Sequence, residues 1–98
     1  QLVNNLRKRG YNGDSAATLT AGELDLDYIL DERGREFFYE GQRRTDLVRY
    51  NKLAGSSYIW PWKGSVPEGR SIGEYLNIFP IPADDIGANE NLQQNTGY

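Results

Sequence analysis

The chain has 98 residues, a formal net charge of −3, and neither Cys nor His. Those counts exclude disulfides, Cys/His zinc sites and any catalytic triad with a histidine base. They also argue against non-specific nucleic-acid binding, which needs a basic footprint. The length allows at most one small domain. With 38% hydrophobic residues and a mean hydropathy of −0.72, a modest core with much irregular chain is expected. No apolar run approaches the ~20 residues of a transmembrane helix, and no signal peptide is present. The chain starts at Gln1 in what reads as mid-helix and contains no Met, so a processed product or a fragment of a longer protein is expected.

In chain order, residues 1–10 read as the end of a helix. Leu2, Val3 and Leu6 share a face, and Arg7, Lys8 and Arg9 suit the negative end of the helix dipole, with Gly10 as the stop. Residues 11–21 form a loop rich in Gly, Asn, Ser and Thr. Thr20, with Glu23 three residues on, makes a capping box. From there one long helix is predicted over 22–51, with Gly55 beyond its end. Gly34 and Gly41 lie seven residues apart on one face of that helix, where a backbone or bulky ring would pack closely. Residues 52–98 read as a long irregular region. It holds an aromatic loop with no periodicity, a short extended segment at Glu74–Phe79 and a Pro80/Pro82 stop. One helical turn at Ala83–Asn89 and a polar tail follow.

On a helical wheel, Leu26, Ile29, Leu30, Phe37, Leu47 and Val48 fall within roughly 60° of one direction. Arg33, Glu40 and Arg44 lie along the same stripe, where unpaired charges are costly. Glu40 and Arg44 make an i,i+4 pair in the favoured order, and Arg33 is expected to bond loop carbonyls. The three together would staple the C-terminal loop to the helix. Arg43, Arg44 and Arg49 read as a salt-bridged helix rather than a phosphate site, because acids are interspersed among them. Glu36 and Glu40 also have the spacing of paired glycosidase carboxylates. The arginines around both would lower their pKa values, against what a general acid needs, so no catalytic residue, metal or cofactor is assigned.

Four segments resemble the C-terminal end of the SusD/RagB family. They are the helix with ERGREFFYEGQRRTDLVRY, the YIWPWKGSV loop, the FPIP turn and the closing NENLQQNTGY. Their order and spacing fit, and with LVNNLRKRG they span nearly the whole chain. Glu90 and Thr96 depart from the family, which often has Pro there. The resemblance implies a mainly α fold: one long helix plus an N-terminal helix end, with a long irregular C-terminal region, as the C-terminal part of a tetratricopeptide-type scaffold. It further implies a non-catalytic outer-membrane lipoprotein of Bacteroidota, facing outward and attached through an N-terminal lipid absent from this chain. Such a protein binds glycans or other nutrient oligomers and delivers them to a SusC-like TonB-dependent transporter. The alternative is a structural C-terminal fragment with no binding activity of its own.

Tyr58, Trp60 and Trp62 are the ligand-binding candidates, because sugar faces stack on flat rings, and Lys63 and Arg70 are placed to bond hydroxyls. In an extended stretch Trp60 and Trp62 would point to the same side. The competing reading makes these rings anchors that bury large apolar areas and fix an irregular loop to the helical body.

Overall fold

The computed structural model describes residues 1–98, the side chain of Ala16 excepted. Among the described residues it is helical and has no strands, so the mainly α class stands. The chain divides into two compact units, Gln1–Phe38 and Tyr39–Tyr98.

In the first unit, α1 spans Leu2–Gly10. Gly10 does not stop it. Asn12 does, adopting φ +53 while the Gly13 N–H reaches back to the Lys8 carbonyl at 2.7 Å. This is a Schellman-type ending with Asn in the left-handed position. The Thr20–Glu23 box forms, but it opens a short 3-10 turn at Ala21–Glu23 rather than the α-helix. The Glu23 carboxylate accepts from the Thr20 N–H at 2.8 Å and from its hydroxyl at 2.7 Å. Those bonds lower the Glu23 pKa, the backbone bond foremost. A lowered carboxylate pKa contributes stability above the ordinary glutamate value of 4.5 that is lost as pH falls through the lowered value. Glu23→Gln is therefore expected to flatten the acid limb of a thermal-stability profile. An unchanged limb would show that the box contributes nothing.

α2 spans Leu26–Glu36 and takes Asp25 as its cap, whose Oδ1 accepts from the Tyr28 N–H at 2.7 Å. Asp25→Ala is expected to cost about 1 kcal/mol in a denaturant melt. Leu30 is 1% exposed and, with Ala17, forms the small apolar centre of this unit. Polar ties supplement that centre. The Arg7 guanidinium donates to the Ala17 carbonyl, the Tyr28 hydroxyl and Glu32, and Glu32 also holds Arg35 at 2.7 Å. The Asn4 amide pairs with both backbone groups of Leu19 at 2.8 and 2.9 Å. Arg7 thus makes specific tertiary contacts besides sitting at the helix end.

The single helix over 22–51 is corrected to two. α2 ends at Glu36, a turn occupies residues 37–42, and α3 spans Arg43–Arg49. Tyr39 (φ +65) and Gly41 (φ +74) are left-handed, which breaks the helical ladder. Nothing approaches within 4 Å of where a Cβ on Gly41 would sit. This glycine serves the turn, not close packing. α3 ends in a second Schellman motif. Asn51 is left-handed, and the Asn51 and Lys52 N–H groups bond the Val48 and Leu47 carbonyls at 2.9 and 2.7 Å.

Beyond α3, Gly55 pairs with Ile72 in an isolated antiparallel bridge that closes the base of the aromatic loop. The segment expected to be extended at Glu74–Phe79 opens as a 3-10 turn, Glu74–Asn77. The Tyr75 ring meets the Tyr98 ring edge-on at 5.0 Å and leaves no room for a side chain at Gly97. The last helix, α4, spans Ala83–Ala88 after Pro82. The tail is fastened by side-chain amides acting as substitute backbone. Gln94 gives and takes a bond with Ile81, both 2.9 Å, and Asn95 donates to the Phe79 carbonyl at 2.8 Å. Pro80 and Pro82 have no N–H, so a regular strand cannot satisfy this stretch, whereas amide side chains can.

Candidate functional site

The chain between Ala54 and Gly73 brings together the aromatic candidates and one buried cation. Lys63 is only 2% exposed. Its ammonium donates to the Tyr58 carbonyl at 2.6 Å and to the Gly55 carbonyl at 2.9 Å, and lies 4.8 Å from the centre of the Trp60 ring. Its backbone is engaged too. The Lys63 N–H donates to the Trp60 carbonyl, and the Lys63 carbonyl accepts from Arg70. A buried charge is tolerable here because fixed carbonyl dipoles and an aromatic face take the place of water. Burial still pushes the Lys63 pKa down, with the Glu74 carboxylate pulling the other way. A lowered lysine pKa means the unfolded chain holds the proton more tightly. This group therefore makes stability rise with pH between its depressed value and the ordinary 10.5.

The turn around Lys63 requires unusual backbone. Trp62 (φ +70) and Gly64 (φ +67) are left-handed on either side of it. That reversal turns Lys63 inward and leaves the neighbouring Trp62 ring 67% exposed. Gly69, at φ +76, passes so close to the Trp60 carbonyl oxygen that a Cβ would stand 2.3 Å from it. The extended alternation expected for Trp60 and Trp62 is therefore absent, and the two rings are treated differently. Tyr58 and Trp60 are half-buried and lie together, with centroids 5.8 Å apart. Arg43 on α3 donates to the Tyr58 hydroxyl at 3.0 Å, and the Lys52 ammonium lies 5.4 Å from that ring. Arg43, Leu47, Tyr58 and Trp60 line a shallow groove.

Lys63 is not directed at solvent hydroxyls as its position in the sequence suggested. Arg70 is exposed, with its stem against Gly64. The stapling expected of Arg44 takes a different form. Its guanidinium donates to the Leu76 carbonyl at 2.6 Å and the Ile78 carbonyl at 3.5 Å, and stacks 4.0 Å from the centre of the Phe79 ring. Glu40 stands exposed in the turn, outside either helix, so the i,i+4 geometry with Arg44 does not arise. Arg33 lies over the Phe37 ring at 4.9 Å. Glu36 pairs with Arg9 in the first unit, and the break after α2 removes the helical spacing that would have set it beside Glu40. Among the described residues no group of acidic side chains is placed to hold a metal ion, and no helix is long and apolar enough to cross a membrane.

The chain is 44% identical, over 96 residues and 98% of its length, to the starch-binding protein SusD of Bacteroides thetaiotaomicron. It spans about 16% of the length of that relative. The family model described as the SusD family matches residues 1–98. The chain belongs to the SusD family.

Proposed function

We propose that the full-length protein carrying this chain binds glycans at the outward face of the outer membrane and delivers them to a SusC-like TonB-dependent transporter. The observation that carries this reading is the 44% identity with a relative named for starch binding. Starch-derived oligosaccharides are accordingly the first ligands to test. Attachment is through an N-terminal lipid, and the role is binding without turnover.

Within that protein the 39–98 unit serves as framework. Tyr58 and Trp60 act as anchors, because Arg43, Lys52 and Lys63 hold them from within the chain. The exposure of Trp62 supports it as the ring that stacks on a sugar face. A second reading is that this segment has no binding activity of its own. It is favoured by the way Arg44, Lys63, Gln94 and Asn95 direct polar groups onto the segment's own backbone.

The test is affinity electrophoresis of the full-length protein against a panel of polysaccharides, starch first. Retardation by at least one glycan, with no reducing ends released, is expected. Mobility unaffected by every member of the panel would refute the proposal.

A further inference from the structure

Among the described polar side chains beyond α3, Lys63 stands out by its burial. It is a long cationic side chain in a loop, yet it is buried and its ammonium donates to two backbone carbonyls. We propose that Lys63 is the positioning residue of the aromatic loop: its N–H donors tie Gly55 and Tyr58 together beneath Trp60 and so set where Trp60 and Trp62 stand.

Three observations carry this. The two carbonyls it joins lie at the base of the loop and at its first aromatic residue, so one side chain fixes both. Gly55 is itself held by the bridge to Ile72, which makes it a fixed point from which the loop is measured. The inward course of Lys63 is coupled to the left-handed backbone at Trp62, so the lysine and the exposed indole are set by the same turn. The surrounding charges meet the loop at other atoms. Glu74 acts on the ammonium electrostatically, Arg70 reaches only the Lys63 carbonyl through its backbone, and Arg43 and Lys52 engage Tyr58.

The role belongs to the donors rather than to the charge. A neutral amine keeps two N–H groups, enough for both carbonyls. Both carbonyl bonds can thus persist in the neutral amine, and the loop is expected to stay in place when the proton is lost. Should Trp62 touch glycan, Lys63 would position that contact, a consequence that rests on the proposed function. The positioning itself is testable without any ligand.

The experiment is residue-resolved oxidative footprinting by mass spectrometry of the full-length protein, with Lys63→Met and Lys63→Arg as variants. Lys63→Met keeps the stem and removes the donors. Oxidation of Trp60 is expected to rise several-fold in it, and Lys63→Arg is expected to restore part of the protection. A folded Lys63→Met protein with wild-type oxidation at Trp60 would overturn the proposal. If Lys63→Met does not fold, wild-type measurements decide. Competitive acylation should label Lys63 far more slowly than Lys8 or Lys52, and the Trp60 footprint should not change with pH short of unfolding. Equal labelling, or an alkaline rise in Trp60 oxidation before unfolding, would overturn it.

Discussion

Replacing Arg44 with Ala is expected to destabilise the 39–98 unit by about 3 kcal/mol, read as a lowered denaturant midpoint. The guanidinium donates a short bond to the Leu76 carbonyl, a longer one to Ile78, and lies 4.0 Å from the centre of the Phe79 ring. A charged hydrogen bond contributes about 1.5–3 kcal/mol, and the aromatic contact adds on the order of 0.5–1 kcal/mol at a partly exposed site. Truncation would also leave a part-buried carbonyl without its donor, and that penalty falls on the folded state alone. Arg44→Lys separates the contributions. Lysine keeps a charge and a donor but lacks the planar fork, so a loss of roughly half is expected. A midpoint unmoved by Arg44→Ala would show that the FPIP stretch is held by something else.

The second large effect is expected from Gly69→Ala, at about 2–4 kcal/mol. Two penalties coincide there. The backbone is left-handed, and the added methyl carbon would stand 2.3 Å from a backbone oxygen and 2.7 Å from the Ile59 side chain. Backbone cannot give way as a flexible side chain can, so the loop must move. Gly41→Ala is the matched control, because its φ is nearly the same and the space around it is empty. It carries the conformational penalty alone, about 1–2 kcal/mol. Equal midpoints for the two variants would mean that the Trp60 contact does not constrain the loop.

How much of this was legible in the sequence depended on whether the signal was local. The helical class, the helix at Ala83, the Pro80/Pro82 stop and the Thr20–Glu23 box all rest on neighbours within a few residues, and all appear. The break at residues 37–42 did not show on the wheel. The apolar positions before and after it keep a helical phase, and Gly41, which on a continuous helix would be a packing glycine, is a turn glycine. Both Schellman endings fall on Asn rather than Gly, at Asn12 and Asn51, which blurs the boundary signal.

The site was harder still. An alternating pattern places Trp60 and Trp62 on one side only if the backbone is extended. The left-handed residue at Trp62 reverses that, and no local rule announces a tryptophan at positive φ. Lys63 and Arg44 bond carbonyls many residues away or across an irregular loop, and such acceptors carry no mark in the side-chain sequence. What the sequence did offer was Lys63 close to the aromatic residues Trp60 and Trp62, whereas Arg44 and Phe79 lie far apart along the chain and only the fold brings them together.

The measurement that bears most directly on the proposed role is calorimetric titration of the full-length protein with starch-derived oligosaccharides, comparing wild type with Trp62→Ala. The account predicts saturable binding by the wild type and weaker binding by the variant, with an unchanged melting temperature. No binding of starch-derived or any other oligosaccharide by the folded wild-type protein would contradict it.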